Sequence, residues 1–258
     1  MNSTLGTEWT AAAVARLGPP WVAVRRVAST GSTNADLAAK ARAGAPSGTV
    51  LVADHQTSGR GRLDRSWTAP AGASLAISAL LRPPAQTPAE RWLWLPLVAG
   101  LAVADALKQA GAAAELKWPN DVLIEGRKIC GILAERIAGD DPAVVIGMGI
   151  NTALAADQLP VPSATSLRLA GVQIADEDLI GAVLGSLGGW YRRWLAGVDL
   201  SDELSDRCST IGRPVRVELS GTESVLGEAI GIDADGRLLV RTAAGVRPFA
   251  AGDVIHLR

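Results

Sequence analysis

The sequence predicts an α+β protein in which a large domain of helices and strands is followed by a small all-β module. The chain has 258 residues, of which 48% are hydrophobic, and this is enough for a large core and a second, smaller one. Helical stretches and apolar strand-like runs are interspersed up to Ile211. From Arg213 onward, short alternating segments and turn residues replace them. We therefore place a domain boundary near Thr210.

The N-terminal part of the chain is predicted to contain two helices and two strands. Thr7–Leu17 is expected to form a short helix that Gly18-Pro19-Pro20 terminates. Alternating apolar and polar residues predict a strand over Trp21–Val27, and the apolar run Thr49–Ala53 predicts a buried strand. Between them, good helix formers predict a helix over Ala35–Ala43.

The central part predicts a long apolar helix among further strands. The helix is expected over Glu90–Gly111, where Pro96 either starts a second helical segment or kinks the first. Two more helices are expected at Leu179–Leu195 and Asp202–Ile211. Strands are expected at Ser74–Leu81, on both sides of Pro119, at Ile129–Glu135 and at Ala143–Ile150.

The C-terminal segment is predicted to form about five short strands, with spacing typical of a small barrel. They are Val215–Leu219, Gly227–Ile232, Leu238–Thr242, Arg247–Ala251 and Val254–Leu257.

A loop rich in glycine and arginine follows the first buried strand and indicates a site for a charged ligand. This segment, Gly59–Trp67, is called the Arg loop and contains two glycines, three arginines and a tryptophan. Glycine permits close backbone approach, and arginine offers paired donors to phosphate or carboxylate. A solvated basic loop is the simplest alternative. The sequence lacks the Gly-Lys-Ser/Thr of a phosphate-binding P-loop and the third glycine of a dinucleotide fingerprint.

Composition narrows the class of function. The net charge is −1, which argues against general nucleic-acid binding, so the loop arginines are a local concentration. With two histidines and no Cys-x-x-Cys pair, a zinc site is not expected. Cys130 and Cys208 are expected to be buried free thiols, with a structural disulfide as the alternative. No apolar run predicts a membrane span or a signal sequence, so a cytoplasmic protein is expected.

Five motifs, in the same order and at fitting spacings, resemble those of biotin protein ligases. They are Ser32-Thr33-Asn34, Gln56 with Gly59-Arg60-Gly61-Arg62, Lys117-Trp118-Pro119-Asn120-Asp121, Arg127-Lys128 with Gly131-Ile132-Leu133, and Gly147-x-Gly149-x-Asn151. The Lys-Trp-Pro-Asn-Asp string combined with the Arg loop is highly specific. The likeness covers nearly all of the chain after Trp21. One departure is Asp64, where the loop of the family usually has glycine.

The resemblance implies a mixed β-sheet with flanking helices, the class II synthetase-like fold of biotin and lipoyl ligase catalytic domains, and a C-terminal SH3-like β-barrel. Residues 1–20 are expected to be an N-terminal extension, 21–210 the catalytic domain and 211–258 the C-terminal module. Longer family members carry an N-terminal winged-helix DNA-binding domain. Because too few residues precede Trp21 for such a domain, we expect the short, monofunctional type.

The resemblance also implies a reaction in two steps. The biotin carboxylate attacks the α-phosphate of magnesium-bound ATP and gives biotinyl-5′-AMP and pyrophosphate. A lysine of a biotin carboxyl carrier domain, from an acyl-CoA or pyruvate carboxylase, then attacks the adenylate and releases AMP. The expected partners are thus biotin, ATP, Mg²⁺ and the carrier domain, without DNA or membrane. A monomer or weak homodimer is expected.

Motif matching assigns the implied binding residues by their position in this sequence. The polar head of biotin is assigned to Ser32, Thr33, Asn34 and Gln56, and its ring and tail to Gly131 and Ile132. The carboxylate and α-phosphate are assigned to Arg60, Gly61 and Arg62. The nucleotide and its phosphates are assigned to Arg65, Trp67, Asn120 and Asn151. Further residues expected to bind biotin or ATP are Gly59, Lys117, Asp121, Lys128 and Gly149.

Three residues are assigned to catalysis by the same matching: Lys128, Arg60 and Arg62. Lys128 is expected to neutralise the reacting carboxylate and α-phosphate, and Asp121 is expected to assist magnesium. A strand-end ion pair between Lys117 and Asp121 is an alternative that needs no ligand.

Other functions predict different features. A lipoate protein ligase adenylates another acid, but the hydroxyl-rich Ser32-Thr33-Asn34 turn suits the ureido group of biotin, whose buried donors and acceptors need partners. An octanoyl transferase would use a cysteine nucleophile, and no matching motif is present. A non-catalytic biotin or nucleotide sensor would not need Lys128 and three loop arginines.

Overall fold

The computed structural model describes residues 6–139, 141–219 and 223–257. The first five residues of the expected N-terminal extension and the last residue of the C-terminal module lie outside these ranges. Two β-sheets and five α-helices are formed by the described residues. None of the helices within these ranges is both long and apolar enough to cross a membrane.

The large domain contains eight strands and five helices. The strands are β1 (Thr7–Glu8), β2 (Ala23–Val27), β3 (Thr49–Ala53), β4 (Ser74–Leu81), β5 (Glu115–Lys117), β6 (Asp121–Ile124), β7 (Arg127–Ile137) and β8 (Ala143–Asn151). The helices are α1 (Ala11–Leu17), α2 (Thr33–Arg42), α3 (Trp94–Gln109), α4 (Asp176–Leu195) and α5 (Ser201–Asp206), and short 3₁₀ turns occur at Ala89–Leu93 and Ala156–Gln158.

The eight strands form one sheet in the order β1-β2-β3-β4-β8-β7-β6-β5. β2 and β3 pair in parallel, and all other pairs are antiparallel. The predicted mixed sheet with flanking helices is therefore confirmed.

The two faces of this sheet are covered by different helices. On β4, Leu75, Ile77 and Ala79 belong to the apolar cluster that includes α3 and α4. On the other face, α2 packs in a second cluster that includes Leu80 and Val145. Because successive side chains on a strand point to opposite faces, the α2 face of β4 also carries Ala76 and Ser78. These small side chains leave room beside the N-terminus of α2.

Pro96 begins a helical segment rather than kinking one. The predicted helix over Glu90–Gly111 divides into the 3₁₀ turn and α3, and Pro96 is the third residue of α3. In the first turn a backbone N–H has no partner within the helix, so proline costs no hydrogen bond there.

Two predicted helices were too long. Thr7 and Glu8 pair with β2 as a strand, and α1 starts only after Thr10, whose side chain accepts a hydrogen bond from the Ala13 N–H. The helix predicted to reach Ile211 ends at Asp206. There the following residues bond to β5 instead, since Leu116 N–H donates to Arg207 O and Ser209 N–H to Leu116 O.

The C-terminal module is a five-stranded antiparallel sheet, as predicted. Its strands are β9 (Pro214–Glu218), β10 (Ser224–Ile232), β11 (Leu238–Thr242), β12 (Gly245–Phe249) and β13 (Asp253–His256), in the order β12-β11-β10-β9-β13.

The module packs tightly on the large domain. Two buried indoles of the large domain donate to it: Trp94 Nε1 to Ala234 O at 2.8 Å and Trp118 Nε1 to Gly236 O at 3.3 Å. The main apolar cluster continues across this contact to include residues such as Val254. The domain boundary near Thr210 stays a prediction, since a continuous core joins the two parts.

Candidate active site

A cavity of about 370 Å³ lies on the α2 face of the sheet, between the N-terminus of α2, the Arg loop and the edge of the C-terminal module. Three glycines, here called the glycine floor, form part of its base: Gly131 on β7, and Gly147 and Gly149 on β8. Gly131 and Gly149 are paired across the two strands. A Cβ at Gly149 would lie 2.6 Å from the Trp67 ring, and one at Gly147 would lie 2.3 Å from Asn34 Oδ1. The absence of side chains at these positions is therefore needed for close packing.

One end of the cavity is polar and buried because it is built from the first residues of α2. Ser32 is the N-cap of this helix, and Ser32, Thr33 and Asn34 are all buried. Gln56 Oε1 accepts hydrogen bonds from Thr33 N–H at 2.8 Å and from its hydroxyl at 3.0 Å. Capping thus uses Ser32 alone, while the neighbouring residues form a network that reaches the cavity.

Asn34 extends this network to strand β7. Its Nδ2 donates to Leu133 O at 3.1 Å and to Glu135 Oε2 at 2.8 Å, while its Oδ1 accepts from the Ser78 hydroxyl at 2.7 Å. The same Glu135 oxygen accepts from Arg60 Nη2 at 2.9 Å. One carboxylate thus connects the polar end of the cavity with the Arg loop.

The Arg loop is a closed, hydrogen-bonded turn. Trp67 N–H donates to Gly59 O at 2.9 Å, and Gly61 N–H donates to Arg65 O at 2.6 Å. At its tip, Asp64 has a φ of 56°, in the left-handed region. Aspartate tolerates this region better than most residues, so the departure from the family's glycine is compatible with the turn.

Gly59 does not line the cavity but is required by the shape of the loop. A Cβ at Gly59 would lie 2.3 Å from Trp67 O and 2.9 Å from Gln56 Nε2. Its role in ligand binding stays a prediction, while the lack of a Cβ at this position lets the loop close.

Two arginines of the loop contact the C-terminal module. Arg65 forms an ion pair with Asp253, and Arg62 Nη2 donates to Gly252 O at 3.3 Å. Arg62 Nη1 also donates to Asn120 Oδ1 at 3.0 Å. Burial lowers the pKa of Arg62, although nearby Asp253 and Asp121 oppose this shift. The guanidinium remains a cation at neutral pH, and its partial desolvation strengthens its attraction for an anion.

Lys128 and Asp121 form an ion pair in the cavity. Lys128 Nζ lies 2.6 Å from Asp121 Oδ1 and 5.7 Å from the centre of the Trp67 ring. The alternative prediction, an ion pair between Lys117 and Asp121, is wrong. Asp121 instead pairs with Lys128 across the β6–β7 hairpin. The contact with Asp121 lacks hydrogen-bond geometry, since this oxygen has no hydrogen-bond partner within the described chain.

The Trp67 ring packs on the glycine floor, against both Gly131 and Gly149. Its Nε1 is buried and finds no hydrogen-bond acceptor among the described residues. An unpaired buried donor is costly, and here it borders a cavity that can hold a ligand.

The structure brings nearly all the predicted site residues together around this cavity. Those that line it are Ser32, Thr33, Asn34, Gln56, Arg60, Gly61, Arg62, Arg65, Trp67, Lys117, Asn120, Asp121, Lys128, Gly131, Ile132 and Gly149. Gly59 and Asn151 do not. Asn151 is buried at the end of β8 and donates through Nδ2 to Thr165 O at 3.0 Å, which indicates a structural role.

The sequence analysis missed a further set of lining residues. They are Ser66, Ala76, Trp118, Pro119, Leu133, Gly147, Met148, Glu218, Asp253, Val254 and Ile255. Leu133 and Gly147 belonged to recognised motifs but were assigned no role, although they lie two residues from assigned positions on the same strands, so alternation could have indicated them. Trp118 and Pro119 were part of a recognised motif but were interpreted as packing or strand-breaking residues. The residues from the C-terminal module carry no comparable local signal.

No cysteine of the chain has a place in this site. Cys130 and Cys208 are free and buried, as predicted, and burial raises the pKa of both thiols. Their thiolates are therefore suppressed at neutral pH. Within the described ranges, no three or more His, Cys, Asp or Glu side chains lie close enough together to hold a metal ion.

Family models match both parts of the chain. The biotin/lipoate A/B protein ligase family matches residues 26–151, and the biotin protein ligase C terminal domain matches residues 210–257.

Two relatives are similar to this chain over most of both sequences. The biotin–[acetyl-CoA-carboxylase] ligase of Mycobacterium tuberculosis is 44% identical over 248 residues, which cover 93% of this chain and 91% of that protein. The enzyme of the same description from Paracoccus denitrificans is 36% identical over 245 residues, covering 88% and 98%.

A solved structure shares the fold. The biotin protein ligase from Aquifex aeolicus in complex with biotin and ATP has a TM-score of 0.77 and 27% sequence identity, and the match covers 91% of this chain and 98% of that one.

Proposed function

The chain belongs to the biotin protein ligase family, and from this membership we infer how its cavity carries out the reaction. The protein is an ATP-dependent biotin protein ligase, not a lipoate ligase. The observation that carries the proposal is a glycine-floored cavity with a buried polar end and a lysine beside it. Biotin has the same division into a polar ureido head, an apolar ring and tail, and a terminal carboxylate.

The polar end of the cavity suits the ureido head of biotin. Thr33 and Asn34 are buried and already aligned by Gln56, Ser78 and Glu135. A ligand that donates and accepts hydrogen bonds there meets a fixed arrangement, so little ordering is required on binding. Lipoate offers a dithiolane at this position, which would leave these buried polar groups without partners.

Trp67 suits the ring and tail of biotin better than the adenine ring to which the motif comparison assigned it. It rests on Gly131 and Gly149, the same floor that is assigned to the biotin tail. We therefore assign its indole to the acid, leaving Arg62, Arg65 and Asn120 near the nucleotide.

We propose that Lys128 balances the charge of the first step. The biotin carboxylate oxygen bonds to the α-phosphorus while the bond from that phosphorus to the pyrophosphate oxygen breaks. Because both reactants are anions, the protein's main tasks are to position them and to neutralise their charge. Lys128 Nζ lies 2.6 Å from Asp121 Oδ1 and 5.7 Å from the centre of the Trp67 ring, so it can exchange its carboxylate partner for the reacting groups.

Magnesium would be held chiefly by the nucleotide phosphates, with Asp121, which lines the cavity, as a carboxylate ligand. A single carboxylate fits this metal, because Mg²⁺ in nucleotide sites keeps several waters and uses one or two carboxylates plus phosphates. When bound, it would withdraw negative charge from the phosphate oxygens. Asp121 also orients Lys128 through their 2.6 Å ion pair.

The second step needs only an approach path for the carrier lysine. Its amine attacks the acyl carbon of the adenylate, the bond from that carbon to the phosphate oxygen breaks, AMP leaves, and the amine releases a proton to solvent. We propose that the acceptor is the biotin carboxyl carrier domain of a carboxylase. We also propose that the enzyme acts in the cytoplasm as a monomer or weak homodimer, without DNA.

The glycine floor provides a direct test. Gly149→Ala is expected to weaken biotin binding about tenfold, because the new methyl group would push the Trp67 ring into the cavity. Isothermal titration with biotin measures this. Gly189→Ala, on α4 with no atom near the added methyl group, is the matched control. Unchanged biotin affinity in Gly149→Ala would contradict the placement of biotin on this floor.

A further inference from the structure

We propose that Glu135 on β7 is a positioning residue of this ligase, because it joins the biotin-head pocket to the Arg loop. The inference rests on the proposed placement of biotin and ATP. Glu135 does not line the cavity, so it would act through Asn34 and Arg60, which do. Its side chain is 27% exposed, and its Oε2 accepts from both of these residues.

The first half of the connection fixes the amide of Asn34. Both N–H groups of this buried amide are used, by Leu133 O at 3.1 Å and Glu135 Oε2 at 2.8 Å. A flipped amide would turn its oxygen toward that carbonyl and carboxylate, which is repulsive. Glu135 therefore determines which edge of the amide is oriented toward Ser78.

The glycine floor restricts the same amide from below. Asn34 Oδ1 lies so close to Gly147 that any Cβ there would collide with it. The amide cannot shift toward β8 to find another acceptor. Loss of the Glu135 carboxylate would thus leave a buried N–H unsatisfied, which is the costly case for a hydrogen bond.

The second half of the connection attaches the Arg loop to the sheet. Arg60 Nη2 lies 2.9 Å from the Glu135 oxygen that Asn34 holds, and the backbone of Arg60 pairs with Ser66 across the loop. The Arg60 side chain is 46% exposed, so this ion pair is weak by itself. Its strength depends on how well Glu135 is aligned. A ligand that binds against Asn34 would keep Glu135 in the position that Arg60 needs and thereby favour the closed loop.

Hydrogen exchange and calorimetry on the full-length protein test this connection without relying on turnover. Exchange of the amides of residues 59–67 is measured with and without biotin, and the dissociation constant for biotin is measured by titration. The variants are Glu135→Ala, Glu135→Gln, Arg60→Ala, and Arg60→Ala combined with Glu135→Gln. Glu203→Gln, which removes the similarly exposed ion pair with Arg193, is the control.

The two Glu135 substitutions are expected to distinguish the contact of Glu135 with Asn34 from its contact with Arg60. Glu135→Ala should weaken biotin binding about tenfold, since Asn34 loses an acceptor. Glu135→Gln retains an acceptor but not the charge, so biotin affinity should change by less than about threefold while loop exchange accelerates. In the Arg60→Ala background, Glu135→Gln should cause no further acceleration, because its effect on the loop passes through Arg60.

Biotin affinity and loop exchange that match the wild type in both Glu135 variants would overturn the inference. So would acceleration by Glu135→Gln that persists undiminished without Arg60. If Glu135→Ala does not fold, as judged by its melting curve, the Glu135→Gln comparisons decide the matter. Failure of the wild-type protein to bind biotin would instead contradict the proposed function itself.

Discussion

We propose that the ammonium group of Lys128 supplies the positive charge that the first step requires. It sits in the cavity with Asp121 as its ionic partner and no other carboxylate within ion-pair distance among the described residues. Its position on the β6–β7 hairpin is set by backbone pairing with neighbouring strands and not by the ligand. A cation that the backbone holds in the cavity in advance favours an anionic transition state.

Replacement of Lys128 tests this role. Lys128→Gln is expected to slow biotinyl-adenylate formation by about 10²–10³-fold, as for the loss of one preorganised electrostatic donor. Single-turnover measurement of adenylate formation gives the rate, and a melting curve reports whether the fold survives. Lys108→Gln, at an exposed position near the end of α3, is the control. A rate equal to the wild type would exclude Lys128 from the chemical step.

At the residue level, local sequence patterns indicated most of the site because its residues cluster in a few short motifs. Glu135 was not found, although it follows Gly131 and Leu133 at alternate positions on one strand. Its partners Asn34 and Arg60 are distant in sequence, and no local pattern specifies such contacts. The same limitation explains Asp253, which pairs with Arg65 across the two parts of the chain.

At the level of elements, the predicted bounds of three strands agree fully with the structure, and two of these strands are buried apolar runs. The bounds of Ser74–Leu81 and Thr49–Ala53 agree fully, because every residue of β4 and all but the first of β3 are buried. β1 could not be predicted, since two residues carry no periodicity and pair only because β2 lies beside them. The over-long helix after Ser201 has a similar cause, because β5 competes for its last residues.

Strand β13 contains a histidine that links stability to pH. His256 is half-buried against the large domain, with Nε2 3.1 Å from the Thr210 hydroxyl. Burial lowers the pKa of His256 to about 4 from an ordinary value of 6.5, and the charges of Lys117 and Arg213 add to the effect. The folded protein therefore takes up a proton less readily than the unfolded chain does.

The sign of the resulting pH dependence follows from linkage. The neutral form of His256 stabilises the fold above pH 6.5, and this contribution is lost as the pH falls from there toward 4. His256→Gln is expected to lose less stability than the wild type over this range. Urea unfolding at pH 7 and pH 4.5 measures the difference. An equal loss in both proteins would show that His256 is not the titrating group.

At the level of the whole molecule, the C-terminal module completes the cavity instead of standing apart from it. Asp253 and Gly252 contact the arginines of the Arg loop, while Trp94 and Trp118 donate to the loop before β11. The apolar core is continuous between the two parts. The pattern of short strands after Arg213 predicted a second unit, but it could not reveal that this unit shares the site.

Deletion of residues 212–258 tests this contribution. The eight-stranded sheet is expected to remain folded but to melt at a lower temperature, because the surface around Trp94 and Trp118 becomes exposed. The KM for ATP should rise more than the KM for biotin, since Arg62 and Arg65 lose their contacts with the module. Circular dichroism and initial rates provide the measurements. Unchanged KM values in a folded truncated protein would contradict a role of the module in nucleotide binding.

The most direct test of the central claim is to compare how much pyrophosphate the purified full-length protein releases with two different carboxylic acid substrates. The protein is mixed with ATP and Mg²⁺, and either biotin or lipoic acid is added at equal concentration. We expect a burst of pyrophosphate with biotin and none above background with lipoic acid, because only the ureido head matches the buried network around Thr33 and Asn34. Equal bursts with both acids, or no burst with biotin, would contradict the assignment of this cavity to biotin activation.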